Sequence, residues 1–553
     1  MHGPINAGWE MCMNLNNRLF FLLILSVLCL STVPSAKGAS QLNTHPKIVI
    51  VELHGLKKDI INNNLSDLPY FKELIQGPSN KQAHIYIPHV FTTIPAASVP
   101  ACTSMYTGLY PQQTGIVSTI WFNRETAKVR TMISYFQQRI NRILIENHVK
   151  TLFDYVGEAG KYSLSAMLMV DKGTDVSLKT GMFFWGNASV VGLARYGRWL
   201  SDPWYMDYKT ISGLLTGHVF AYHKSLKGVL DKKGTLPDLT VVQLLGTDIY
   251  SHYPEKELIQ RNASMDDIQA YYTQHILDPL MGRLIHFLKT NGVYSQTLFI
   301  LVSQQGTIKI KKHISDKAVA DSLKDSFRLP GLITSNREAN AIIMPGACTK
   351  EVYLKNRKIG NWLDPPRLLL DVKPAVDLLV DHPDIQEGLN EIVIRQYPGE
   401  RDEAVVENQQ WWAFEWRDYR KGPRMDTDFI QSLYPLEEMA RRFELKQYIS
   451  ESLNRQYTRK TAPDIKLINK KGIYFERDLN KYGHHGSYYP NDTVVSFWIA
   501  GPGLSAIIPG RHTIKTAAST LDLIPIATHL LGIPFPDGLE GNNPLDKLPF
   551  KQN

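Results

Sequence analysis

The sequence predicts an α/β protein: a mostly parallel central sheet with helices on both faces, plus a mainly helical insertion. Three observations carry the prediction. Apolar, β-branched runs recur at KIVIVEL (47–53), HIYIPHV (84–90), TVVQLLG (240–246), TLFILVS (297–303) and VVSFWIA (494–500). Strands buried on both faces read as such continuous runs, whereas half-wet strands alternate. Amphipathic stretches separate them. The clearest covers 266–289, where Ile268, Tyr272, Leu277, Leu280, Leu284 and Leu288 share related faces and Asn291-Gly292 ends the helix. Pro279 inside it is expected to kink or reset it. From 346 to 470 charged, helical sequence takes over, which marks an insertion and a possible cap over the ligand edge. Its cluster Trp411, Trp412, Phe414 and Trp416 reads either as a small core of its own or as a substrate platform.

The order along the chain follows. Arg18 leads the apolar run LFFLLILSVLCLSTV, and Ala36-Lys37-Gly38 offers the small residues of a cleavage site. Residues 1–39 are therefore read as a signal peptide, with Met13 as an alternative start. The mature protein is expected to be secreted, periplasmic or otherwise extracytoplasmic. That run is shorter than the roughly 20 residues that span a bilayer, so no transmembrane span is expected after cleavage. Residues 40–345 form the first part of the core, 346–470 the insertion and 471–553 the second part. Beyond the signal only Cys102 and Cys348 remain, which is no disulfide framework. Sequons stand at Asn64, Asn187, Asn262 and Asn491. A net charge of +8 over 553 residues permits anionic substrates, but without a basic stripe interleaved with aromatics no nucleic-acid binding is expected. The densest basic run, Lys309 to His313, reads as a solvated surface turn. Nothing in the sequence bears on oligomeric state.

In open α/β sheets ligands gather at the carboxyl ends of strands. Four of the runs lead at once into His54-Gly55, Thr247-Asp248, Gln304-Gln305-Gly306 and Gly501-Pro502-Gly503. Ser98, in TIPAASVPACTSMYTGLYPQQTG (93–115), stands where a strand gives way to a helix. A serine there is either a helix cap or a nucleophile set against backbone N–H groups. Asp248-Ile-Tyr-Ser-His252 spaces a carboxylate and an imidazole to converge on one metal ion, or holds a capping Asp and a surface His. Gly483-His484-His485-Gly486 is a histidine pair on a loop that its glycines allow close to another centre.

Taken together, these pieces resemble the type I phosphodiesterase/nucleotide pyrophosphatase branch of the alkaline phosphatase superfamily. The likeness runs through VELHGLKKD, S-V-P with TGLYPQQTGI, DIYSH, the helix around Asp278, S-Q-Q-G, GHHG and LDLIPIATHLLGIPFP. It implies an alkaline phosphatase-like core and a two-metal hydrolase, usually of zinc, whose Ser or Thr attacks phosphorus. Position by position, Asp248, His252 and His485 match one complete metal site and Ser98 matches the nucleophile.

The other site departs from the pattern. His54 stands in place of an Asp, Gln304-Gln305 in place of Asp-His, and Ala101 in place of an Asn that helps hold the phosphoryl group. Glutamine is neutral and a poor Zn²⁺ ligand. This degraded second site of His54, Gln304 and Gln305 leaves one Zn²⁺ expected and a second uncertain. His54 is a possible ligand or a possible base toward Ser98. Glu52, two residues earlier and hence on the same strand face, either pairs with His54 or a cation or is exposed at an edge. Two functions follow as expectations. One is a metal-dependent phosphodiester or pyrophosphate hydrolase acting on a phosphorylated small molecule or nucleotide-like substrate. The other is a pseudoenzyme that binds a phosphorylated ligand or a partner. A sulfatase, which shares the superfamily fold, is disfavoured because Ala101, Cys102 and Thr103 follow Pro100 with no Arg.

Overall fold

The five apolar runs all form strands of one sheet in the computed structural model. It describes residues 45–132, 136–179, 202–217, 222–315, 317–346, 349–396, 410–442, 446–475 and 480–551. The signal-like segment, Asn187 and Cys348 lie outside those residues. The sheet strands in chain order are β1 (Lys47–Leu53), β2 (His84–Phe91), β3 (Ser163–Ala166), β4 (Val176–Leu178), β5 (Leu239–Leu244), β6 (Thr297–Val302), β7 (Val494–Ala500), β8 (Arg511–Thr513) and β9 (Ala518–Ser519). Their spatial order is β8-β2-β7-β6-β1-β5-β3-β4, with β9 also beside β2. Strand β1 is buried along its whole length. Ile48 and Ile50 enter one apolar cluster, and Val49, Val51 and Leu53 enter the other, so both faces are covered.

Strand β7 runs antiparallel to both neighbours, β2 and β6, while the other pairings are parallel. That changes one expectation. Gly501-Pro502-Gly503 follows the carboxyl end of β7 and therefore lies at the opposite edge from His54, Asp248 and Gln304. The amino-terminal approach to β7, which carries His484 and His485, takes its place at the site edge.

The helical stretch continues unbroken through Met265–Tyr272, a wider π-helical turn Thr273–Leu277 and Asp278–Thr290. Proline removes an amide donor and crowds the preceding turn. Placing the π turn just ahead of Asp278-Pro279 absorbs that defect within the helix.

The insertion has the expected helices, such as Lys373–Asp381 and Lys446–Asn454. They are organised around a six-stranded sheet that the sequence reading did not foresee. Its strands, in spatial order, are Ala341–Gly346, Thr349–Leu354, Ile465–Asn469, Leu389–Gln396, Gln410–Phe414 and Leu433–Pro435, all paired antiparallel. The tryptophan cluster divides by strand alternation. Trp411 and Ala413 join the apolar cluster of the central sheet, whereas Phe414 and Trp416 fill the insertion's own core. The run from Lys309 to His313 is not a free turn. Ile308–Lys309 pairs with Gly483–His484, and Lys312–Ile314 pairs with Ile473–Phe475. Among the described residues no helix is long and apolar enough to cross a membrane.

Candidate active site

Asp248 and His252 lie on the short helix α2 (Gly246–His252), which begins just after β5. Burial disfavours a charge on Asp248, but the imidazoles of His252 and His485 outweigh it and hold its carboxyl well below the usual carboxylate range. His252 Nε2 lies 3.4 Å from Asp248 Oδ2, and His485 Nε2 lies 3.4 Å from Asp248 Oδ1. The ligand atoms of the three residues lie within 4.8 Å of one another.

The outer contacts favour a metal. His252 Nδ1–H donates to Gly483 O at 2.6 Å and His485 Nδ1–H donates to Ala96 O at 3.3 Å. Bonding Nδ1 in this way leaves each Nε2 lone pair directed at Asp248, the arrangement by which backbone carbonyls orient metal-binding histidines. Asp248 Oδ1 is buried and has no hydrogen-bond donor among the described residues. A carboxylate oxygen and two neutral imidazole nitrogens in one place fit a borderline divalent ion. Against its burial, which works the other way, the Asp248 carboxylate raises the His252 pKa, whereas burial prevails at His485 and lowers it.

Two glycines permit this approach. Gly55 has φ +74°, and a Cβ there would stand 2.8 Å from Asp248 Oδ1. A Cβ on Gly483 would stand 2.7 Å from the carbonyl of Ser251. Behind α2, buried Asp207 accepts from Gly246 N–H at 3.0 Å and from Tyr272 O–H at 3.0 Å. Burial pushes its carboxyl up to about 7. In the unfolded chain it titrates near 3.9. The folded state therefore holds this proton more tightly, and the associated stability is full below about pH 4 and is lost as pH rises through about 7. Asp207→Asn is expected to flatten that slope, with a gain at pH 8 on the order of a few kcal/mol over wild type, read by urea unfolding.

Ser98 opens helix α1 (Ser98–Thr107), whose first-turn N–H groups have no partner within the helix and favour an anion. Its side chain serves no cap. Ser98 Oγ lies 3.0 Å from His54 Nε2 and 3.4 Å from Gln305 Nε2. His54 and Glu52 are buried, and His54 Nδ1 stands 3.4 Å from Glu52 Oε1. Glu52 is thus paired with His54 and is not at an exposed edge. Gln304 Nε2 is 2.6 Å from His54 Nδ1.

One member was missed from sequence. Gln243 of β5 faces Glu52 of β1 in register and donates from Nε2 to Glu52 Oε1 at 2.8 Å. Its Oε1 accepts from Met169 N–H at 3.2 Å. The signal was a lone amide in the apolar run TVVQLL.

The degraded set does not fit a second ion. Its one imidazole has Nε2 against Ser98 and Nδ1 among two amides and a carboxylate, and the glutamines bring no charge. The structure therefore joins Asp248, His252 and His485 in one cluster and His54, Ser98, Gln304 and Gln305 in another. The backbone of residues 54–55 and 96–98 borders both, since Gly55 abuts Asp248 and Ala96 O meets His485 while His54 and Ser98 belong to the second cluster.

The type I phosphodiesterase/nucleotide pyrophosphatase family model matches residues 48–487. Among solved structures, murine ectonucleotide pyrophosphatase/phosphodiesterase 5 is similar at a TM-score of 0.50 and 15% identity, covering 90% of this chain and 97% of that chain. An inactive variant of the murine protein, in complex with AMP, matches with the same figures. The human counterpart has a TM-score of 0.49 at 16% identity, with 89% and 96% covered. No curated protein sequence matches the chain. At these identities the structural likeness bears on the fold, and the motifs from VELHGLKKD to GHHG fall within the residues that the family model matches, whereas LDLIPIATHLLGIPFP lies beyond them. The chain belongs to the type I phosphodiesterase/nucleotide pyrophosphatase family.

Proposed function

We propose that this protein is a secreted, metal-dependent phosphodiester or pyrophosphate hydrolase, with Ser98 as nucleophile and one divalent ion, Zn²⁺, held by Asp248, His252 and His485. The observation that carries the reading is the donor-free oxygen of Asp248 between two imidazoles whose other nitrogens are tied to carbonyls. When bound, such an ion supplies Lewis-acid stabilisation of phosphoryl oxygens. Ser98 supplies the hydroxyl that bonds to phosphorus, and the amino terminus of α1 favours the negative charge beside it. The substrate class is a nucleotide-like phosphoester, a reading supported by the AMP complex of the murine relative. Secretion rests on the Arg18-led apolar run.

The test combines metal content with turnover. The purified chain is expected to carry one zinc per molecule and to cleave bis(p-nitrophenyl) phosphate, with the activity lost to a chelator and restored by zinc. Ser98→Ala should keep the ion and lower turnover by at least about 10³-fold. Turnover unchanged by that substitution removes Ser98 from the reading.

A second reading, a binding module without turnover, is favoured by the neutral pair Gln304-Gln305 where the family pattern carries charge. AMP bound by a chain that cleaves no diester under any divalent metal selects it.

A further inference from the structure

In a family whose serine is activated by a second metal, this chain has lost that metal's ligands and gained a histidine on the serine. His54 Nε2 lies 3.0 Å from Ser98 Oγ, within reach for proton transfer. Whether His54 accepts a proton there depends on its other nitrogen. A neutral imidazole has one N–H, so Nε2 offers a lone pair only when Nδ1 carries the hydrogen.

Three residues decide the tautomer. Glu52 Oε1, 3.4 Å from Nδ1, favours a hydrogen there, since a carboxylate repels a lone pair and attracts an N–H. Gln243 cannot turn, because Met169 N–H fixes its oxygen; one of its amide hydrogens goes to Glu52, and its nitrogen stands 3.1 Å from Nδ1 and 3.9 Å from Cys102 Sγ, so a hydrogen on Nδ1 leaves the second amide hydrogen to the sulfur. Gln304 can turn. With its nitrogen facing His54, its buried Oε1 has no partner among the described residues. Amide oxygen and nitrogen exchange places by a half-rotation. After it, Oε1 stands where Nε2 was, 2.6 Å from Nδ1, and accepts Nδ1–H.

We propose that His54 is the general base for Ser98, its tautomer set by Glu52 and Gln304, in place of the family's second metal. This deepens the hydrolase reading and rests on it for Ser98 as nucleophile. As Ser98 Oγ bonds to phosphorus, its proton passes to His54 Nε2 and the ester bond to the leaving oxygen breaks. Water then attacks the phosphoserine. Its proton goes to the departed alkoxide, and Ser98 Oγ leaves, taking its own proton back from His54. The sum is one diester and one water giving one alcohol and one monoester. Glu52 and Gln304 are positioning residues, since neither touches phosphorus.

The test does not need turnover. Diisopropyl fluorophosphate, whose fluoride leaves as Ser98 Oγ bonds to phosphorus, is added to the zinc-loaded full chain and labelling is followed by intact mass. Wild type is expected to be labelled once, Ser98→Ala not at all, and His54→Gln about 100-fold more slowly. Metal content and unfolding temperature establish that each variant is folded. Glu52→Gln keeps the side-chain shape and removes a buried charge. It should slow labelling by about tenfold without lowering the unfolding temperature, a split that a structural role does not produce. Labelling of folded His54→Gln within about threefold of wild type overturns the proposal, as does a wild-type Ser98 that does not react. If His54→Gln does not fold, the Glu52→Gln rate decides. His54-dependent labelling without diester cleavage refutes the hydrolase reading and leaves the base assignment standing.

Discussion

Asp248→Asn is expected to remove the bound ion and to lower metal-dependent diester cleavage by about 10³-fold or more, an effect of several kcal/mol. The amide keeps the size of the side chain but loses the charge that draws the two imidazoles together. Asp248 Oδ1 is buried with no donor, and the carboxyl lies well below its usual range because, against the penalty of burial, His252 and His485 favour its ionised form. Without it, the imidazoles keep their bonds to Gly483 O and Ala96 O but face each other without a shared anion. Zinc per chain, measured by atomic emission after gel filtration, should fall from one to zero. A variant that retains its ion while losing activity shows that the carboxylate acts on substrate and does not hold metal.

The converse substitution should have the second large effect. The triple variant His54→Asp, Gln304→Asp and Gln305→His restores the family's pattern at the three metal positions that depart from it and leaves Ala101 as it is. Zinc content is expected to rise from one to two per chain. Diester turnover should rise by about 10²–10³-fold, since metal coordination of Ser98 then adds nucleophile activation and charge stabilisation. The exchange is local because the side chains of residues 54 and 305 already reach Ser98 and that of 304 reaches His54. Its main hazard is electrostatic: two new carboxylates enter beside buried Glu52 and need cations to be stable there. A variant that folds only with zinc present supports the second site. One that folds equally well with and without zinc, and binds a single ion, rules it out.

Much of this was legible in the residues, for a reason particular to parallel sheets. Strands buried on both faces are continuous apolar runs, and β1, β6 and β7 begin and end within a residue of KIVIVEL, TLFILVS and VVSFWIA. The order of the chain at the strand ends then places Asp248 and His252 together. His485 was legible only through the family pattern, because it arrives on a loop whose position depends on the reversed direction of β7. The direction of a strand leaves no mark on its composition, so Gly501-Pro502-Gly503 read like a site loop. The insertion's sheet was hidden for another reason. Its strands mix charged and apolar residues, as in TKEVYL and IKLIN, and lie among amphipathic helices. The partnership of Glu52, Gln243 and Gln304 around His54 depends on cross-strand register, which no single run contains.

The insertion also reaches the chemistry. Ser452 Oγ accepts from the backbone N–H of Ile94 at 2.7 Å, four residues before the serine. Farther along the same segment, Gln456 Nε2 donates to Val117 O, and Arg124 forms a buried ion pair with Asp464. The stretch that delivers the nucleophile is thus splinted from outside the central sheet. Directed evolution of this protein toward new leaving groups would find the 446–464 region to be a tuning handle. Substitutions there are expected to shift the segment that leads from Ile94 to Ser98.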